Sequence, residues 1–254
     1  MNLNQLKILF WNARGITNKL TEFKKFIHLN DIDVACVCES FLKSEKTLFV
    51  KGYRTIQKNR TNGRFGGLFI IVKENLSFGE LPLPKLNLLE CLGVKIGKAN
   101  LILTYLPGQS TDRTINNSFI NDLKRISSSF ESLFIIGDIN ARHRTWNCAD
   151  NNRAGILLHQ YLSQSKCFLS VPDDHTYCPV SMCMRPSTID LILTDAVIPH
   201  SKPWVINEFH SDHLPIRFDI TIKITTASVQ NIPIYSQANW KLFREELDYL
   251  LGPL

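Results

Sequence analysis

Two periods of apolar residues run along this chain. Runs that fit buried or half-buried strands fall at residues 6–11, 33–38, 52–58, 67–72, 89–96, 100–106, 133–136, 187–193 and 216–222. Between them, apolar residues return at helical spacing. Leu20, Phe23, Phe26 and Ile27 do so within 17–29, and Phe119, Leu123, Ile126 and Phe130 in the segment before residue 133. Residues 152–162 and 239–251 repeat the pattern, the latter with Trp240, Phe243, Leu247 and Leu250 on one face. Some strands alternate with helices and others follow one another directly. A mixed-sheet sandwich with outer helices accommodates both habits. After Ile222 the composition turns to Thr, Ser, Gln and Asn. The pattern therefore predicts a domain over 1–222, a linker at about 223–236 and a terminal helix.

Polar residues stand where several of these strands end. The run Leu133-Phe134-Ile135-Ile136 meets Gly137, where the backbone is read as leaving the strand, and then Asp138 and Asn140. Asp, Asn and Gly are ordinary turn residues, and on this stretch alone the turn is the simpler reading. Strand alternation would instead put Asp138 and Asn140 on one side, where they could hold and polarise a water molecule. Asn12, Glu39 and Tyr105 occupy comparable strand exits. Asp190 lies inside an apolar strand and needs a buried partner; His213, in Ser211-Asp212-His213, is the candidate, with its tautomer held by the carboxylate.

The formal charge of +6 favours an anionic partner without identifying one. Two tracts suit nucleic acid better than charge alone does. Residues 59–66 are basic and glycine-rich with Arg60 and Arg64, and residues 142–147 hold Arg142, His143, Arg144 and Trp146. No apolar run approaches the ~20 residues of a membrane span, and the start has no signal-peptide layout. Seven cysteines, an odd count without framework spacing, point to a reducing, intracellular setting. His175, Cys178 and Cys183 lack a fourth ligand at zinc-site spacing.

The ordered set WNARG at 11–15, CES at 38–40, YLPG at 105–108, GDIN at 137–140, STID at 187–190 and SDH at 211–213 resembles the endonuclease–exonuclease–phosphatase superfamily. The resemblance runs from about Leu6 to Ile222. It is nearest the apurinic-type endonuclease domain of non-LTR retrotransposons of the jockey kind, through WNARG, YLPG, the GDINARHRTW stretch and Asn152-Arg153-Ala154-Gly155.

That resemblance implies a four-layer α/β sandwich of two mixed β-sheets flanked by helices. It also implies a Mg²⁺-dependent DNA endonuclease, with Mn²⁺ as the alternative ion, that nicks double-stranded target DNA to leave a 3′-hydroxyl for target-primed reverse transcription. The tail from Asn239 would lead towards a reverse transcriptase absent from this chain, element RNA would be a partner through it, and the site of action would be the nucleus. Among the residues, Glu39 would bind the metal with Asn12 orienting it or adding a ligand, and Asp212 would assist. Asp138 would deprotonate the attacking water with Asn140 fixing its geometry. His213, held by Asp190, would stabilise the phosphoryl oxygens, and Tyr105 would hydrogen-bond the phosphate or leaving group. Arg14, Arg60, Arg64, Arg142, His143, Arg144, Thr176, Ser187 and Ser211 are candidates for phosphate contacts. A DNA-repair apurinic endonuclease or exonuclease, or a phosphatase of the superfamily, is the alternative; a catalytically silent nucleic-acid-binding domain has no need of the full polar set.

Overall fold

A computed structural model describes residues 4–60, 66–107, 117–181, 185–209, 211–224 and 239–251. Twelve strands form two six-stranded sheets. The first comprises β1 (Asn4–Asn12), β2 (Val34–Cys38), β3 (Tyr53–Lys58), β4 (Leu68–Lys73), β11 (Trp204–Val205) and β12 (Ile216–Ile222), in the order β11-β12-β1-β2-β4-β3. The second comprises β5 (Phe78–Glu80), β6 (Glu90–Ile96), β7 (Ala99–Tyr105), β8 (Leu133–Asp138), β9 (Phe168–Ser170) and β10 (Asp190–Thr194), in the order β5-β6-β7-β8-β10-β9. Each sheet has one parallel pair at its centre, β1 with β2 and β7 with β8, and antiparallel neighbours elsewhere. The helical patterns before the second strand of each pair are the crossovers that parallel pairing requires: α1 (Leu20–Leu29) and α2 (Asn117–Ser129). α3 (Arg153–Gln164) follows β8, and α4 (Trp240–Leu251) lies beyond the sandwich strands.

Alternation along the strands builds the layers. Even-numbered residues of β1, β2, β8 and β12 and odd-numbered residues of β7, such as Phe10, Cys36, Ile136, Phe218 and Leu103, fill the space between the sheets. The opposite face of the first sheet packs Trp11, Val37 and Phe69 against Phe23 and Ile27 of α1. The opposite face of the second packs Ile135, Ile102 and Leu193 against Phe119 and Leu123 of α2 and Leu158 of α3. The fold is thus the four-layer α/β sandwich expected from the sequence.

Several local expectations change. β8 runs through Gly137 to Asp138, so the glycine is not where the backbone leaves the strand. A Cβ on Gly137 would lie 1.8 Å from the carbonyl oxygen of Thr104, its partner on β7, so the close approach of two backbones demands glycine here. β10 begins at Asp190, so the aspartate opens the strand instead of sitting in its middle. The short strands β5, β9 and β11 carry too few residues for a periodic signal. The apolar stripe of α4 faces solvent, with Phe243 54% and Leu250 75% exposed. Most of the expected linker lies outside the described residues, as do Arg64, Gly108 and Cys183. Among the described residues no helix is long and apolar enough to cross a membrane.

Candidate active site at the strand exits

The inner-face row of each central strand changes from apolar to polar at the same end of the sandwich. Asn12 closes β1 after Ile8 and Phe10, Tyr105 closes β7 after Leu101 and Leu103, and Asp138 closes β8 after Phe134 and Ile136. Glu39 follows the last residue of β2, and Asp190 opens β10 directly opposite Asp138 in the antiparallel register. The carboxyl ends of parallel strands in both sheets thus meet at one rim, the usual place for a site in an open α/β sheet.

Three loops leaving this rim turn through left-handed backbone at residues other than glycine: Arg14 (φ 41°), Glu39 (φ 50°) and Asn140 (φ 49°). Such conformations cost about 1–3 kcal/mol each and persist where the surroundings over-determine them. Here the surroundings are backbone hydrogen bonds. Ala13 N–H donates to the Cys38 carbonyl at 3.0 Å, Gly15 N–H to that of Glu39 at 2.8 Å, and Ser40 N–H to that of Gly67 at 3.1 Å. The exits of β1 and β2 and the entry to β4 are zipped together with Glu39 at the centre.

Asn12 joins the two sheets. Its Nδ2 donates to Glu39 Oε1 at 3.1 Å and to Asp138 Oδ2 at 2.9 Å, while its Oδ1 accepts the Arg14 N–H at 3.1 Å. Asn12 thus orients Glu39, and its oxygen carries the Arg14 N–H on one of its two lone pairs. Asp138 Oδ1 accepts the Asn140 N–H at 3.0 Å, which closes an Asx turn. The Asn140 Nδ2 donates to the Leu106 carbonyl at 2.9 Å, leaving its second N–H and its oxygen available. The two-residue spacing of Asp138 and Asn140 therefore works through a turn, and not through strand alternation.

Two carboxylates directly opposite each other on neighbouring strands repel. His213 relieves this pair: its Nδ1 lies 3.1 Å from Asp190 Oδ2 and its Nε2 3.9 Å from Asp138 Oδ2. Burial, and then the charge of Asp190, push the Asp138 carboxyl up to about 7. Burial pulls the His213 imidazole down, but the attraction of Asp190, Asp138 and Glu39 outweighs it and the net displacement is upward. Tyr105 is held well above its ordinary value by burial and by Glu39, to which its hydroxyl hydrogen-bonds.

The segment around Thr176 holds this pair from behind. Thr176 is fully buried, and its Oγ1 accepts the N–H groups of Ile189 and Asp190 at 3.2 Å; its carbonyl accepts the Leu214 N–H at 2.7 Å. Tyr177 forms bridges with Ser187 and His213, and its ring lies 4.8 Å from the imidazole. Trp11 Nε1 donates to the His213 carbonyl at 3.1 Å. Thr176 is accordingly a buried support of the site, Ser187 is buried beside it, and Tyr177 and Trp11 are supports that the sequence pattern did not single out. Ser211 accepts the His213 N–H at 3.3 Å.

The other expected phosphate contacts divide. Arg14 Nη1 pairs with Asp212 Oδ2 at the mouth. Arg60 pairs with Glu90, beside Tyr105 in the β6–β7 register, so its charge is already answered. Arg142 lies 3.2 Å from Asp150. His143 stacks on His159 at 4.4 Å, and Arg144 is exposed. This loop is fixed by Asn152, whose Oδ1 caps α3 through the Gly155 N–H at 2.8 Å and accepts the Arg142 N–H at 2.9 Å. Its Nδ2 donates to the Asn140 carbonyl at 2.7 Å. A Cβ on Gly155 would meet the Arg142 carbonyl at 1.8 Å, which accounts for Asn152-Arg153-Ala154-Gly155 as a unit.

Asp138, Asp190 and His213 lie close enough together to surround a cation. Their mutual pairing already answers both carboxylate charges, Asp190 through Nδ1 of His213 and Asp138 through its Nε2. Glu39 is the better seat for a hard divalent ion. It is only partly buried, its hydrogen bonds come from the neutral amide of Asn12 and hydroxyl of Tyr105, and among the described residues no Lys, Arg or His pairs with it. A cleft of about 950 Å³ between α2 and α3 lies at Leu133, the opposite end of β8, and shares none of these residues.

A family model described as endonuclease-reverse transcriptase matches residues 99–217, which include Tyr105, Asp138, Asn140, Asp190 and His213. The chain is 27% identical over 97% of its length to a probable RNA-directed DNA polymerase from transposon X-element of Drosophila melanogaster. It is 26% identical over 83% of its length to the RNA-directed DNA polymerase from mobile element jockey of the same species. It spans only 27% and 23% of these relatives. Among solved structures, the endonuclease domain of TRAS1, a telomere-specific non-LTR retrotransposon, superposes with a TM-score of 0.67 at 17% identity, covering 85% of this chain and 98% of that one. A 3′ phosphatase from Neisseria bound to a product DNA hairpin gives 0.64 at 16% identity, covering 85% and 99%.

Proposed function

We propose that this chain belongs to the endonuclease–exonuclease–phosphatase superfamily, among its non-LTR retrotransposon endonucleases, and that it nicks one strand of double-stranded DNA in a Mg²⁺-dependent reaction and leaves a 3′-hydroxyl that primes reverse transcription. The observation that carries this reading is the single Asn12 amide that spans Glu39 and Asp138 from opposite sheets. It sets a carboxylate suited to a hard cation beside a carboxylate suited to a water.

Glu39, steadied by Asn12 and Tyr105, would hold the Mg²⁺, which when bound supplies charge neutralisation to the scissile phosphate. Asp138 takes a proton from the attacking water, and its elevated pKa suits a base working near neutrality. The water oxygen bonds to phosphorus as the P–O3′ bond breaks, and the departing 3′ oxygen takes up a proton. The Asn140 amide, anchored on Leu106, presents its remaining N–H towards the same place. His213, protonated and fixed by Asp190, stabilises the phosphoryl oxygens. Tyr105 stays protonated and donates a hydrogen bond. Residues 1–222 form the nuclease, α4 leads towards the reverse transcriptase, and element RNA and nuclear target DNA are the wider partners.

The test is nicking of supercoiled plasmid with Mg²⁺ or with chelator, followed by extension of the nick by a DNA polymerase. Metal-dependent nicks that a polymerase extends without prior phosphatase treatment are expected, and Asp138→Ala or His213→Ala should nearly abolish them. Full activity in either variant defeats the assignment. A duplex with one abasic site, cut far faster than intact DNA, would favour the repair-enzyme alternative.

A further inference from the structure

The carboxylates around the mouth differ in how their charge is answered. Asp190 faces His213 at 3.1 Å, and Asp138 lies 3.9 Å from the same imidazole. Asp212, with a side chain only 11% exposed, carries the Arg14 guanidinium. Glu39 alone has only neutral partners among the described residues.

Arg14 is set across the mouth by its own backbone. Its left-handed conformation follows from a loop pinned at both sides, with its N–H on Asn12 Oδ1 and the next N–H on the Glu39 carbonyl. A second cation stands behind it. The Lys19 ammonium donates to the Ala13 carbonyl at 2.6 Å and lies 5.3 Å from the centre of the Trp11 ring. Burial, and then the charge of Arg14, lower the pKa of Lys19, so the two cations feel each other. A divalent ion at Asp212 would have to displace the Arg14 guanidinium, against repulsion weakly screened in a partly buried site.

We propose that Arg14 is the resident cation of the Asp212 side of the site, so that the centre takes one divalent ion, at Glu39, and Asp212 is not a ligand. Arg14 is in this role a positioning residue: it fixes Asp212 beside His213 and determines how many ions enter. The inference rests on the reading that Glu39 holds the ion, and the experiment separates the two.

The full chain is titrated with Mn²⁺, followed by electron paramagnetic resonance of the free ion, with folding checked by circular dichroism. The wild-type chain should bind one ion, and Glu39→Gln should remove it. Asp212→Asn should change its affinity by less than about 10-fold, the lower end of what loss of a supporting residue costs. Arg14→Ala should admit a second ion, lost again when Asp212→Asn is added, and Arg14→Lys should bind one. An unchanged single ion in folded Arg14→Ala overturns the inference. So does a loss beyond about 10-fold in Asp212→Asn, an arm that does not depend on Arg14→Ala folding. No binding by the folded wild-type chain overturns the metal reading itself, and this inference with it.

Discussion

Asp138→Asn should make the protein more stable and inactive, and the gain should depend on pH. A carboxyl displaced from 3.8 to about 7 corresponds to about 4 kcal/mol against its ionised form in the folded chain. Asparagine has nearly the shape of the protonated acid and can keep the Asn12 contact through its oxygen. The substitution also weakens the hold on His213, which loses a carboxylate 3.9 Å from its Nε2. That attraction is already contained in the net displacement, so the gain remains about 4 kcal/mol. Below pH 4 the acid is protonated in both folded and unfolded chains, and the two proteins should be equally stable. Between pH 4 and 7 the unfolded wild-type chain has ionised while the folded one has not, so wild-type stability falls and the gap opens. Above pH 7 it is full. Urea unfolding followed by tryptophan fluorescence, at half-unit steps from pH 4 to 8.5, measures it. A pH-independent gap, or a variant less stable than wild type at pH 8, would refute the electrostatic account of the Asp138–Asp190–His213 cluster.

Gly137→Ala should cost about 3 kcal/mol or prevent folding, because its Cβ would have to push back the β7 backbone; thermal melting decides it. Asn152→Ala should cost about 1–2 kcal/mol as a lost cap, and it should also lower kcat by freeing the loop that holds Asn140, whereas a pure cap would leave kcat intact. Thr176→Val should shift the alkaline limb of the pH–rate profile to lower pH by loosening Asp190 from His213, and Thr176→Ser should restore it. Nicking should rise with pH as Asp138 ionises near 7 and fall at higher pH as His213 loses its proton.

The polar residues that meet at the rim were readable because they stand at the ends of apolar runs, and the rim collects strand ends. Asp138 and Asn140 show the limit. The turn is the reading that describes the molecule, and the Asx turn is the means by which the asparagine is presented. Thr176 lies in a segment without periodicity, so nothing in the sequence marked its hydroxyl as buried. Arg14 and Asp212 are separated by 198 positions, and no local pattern announces that an arginine will answer one particular aspartate. The pairing of Arg60 was hidden for the same reason, since its partner Glu90 belongs to the other sheet.

β1, made first, takes β12 as its antiparallel neighbour, and His213 arrives only on the approach to that last strand. A ribosome that has emitted everything up to β10 has produced both acids of the opposed pair, but neither the imidazole between them nor the strand that completes the first sheet. With His213 in its proposed role, nuclease activity would be withheld until nearly the whole sandwich exists. Fragments from aborted synthesis would carry Asn12, Glu39, Asp138 and Asp190 without the imidazole that answers the two aspartates.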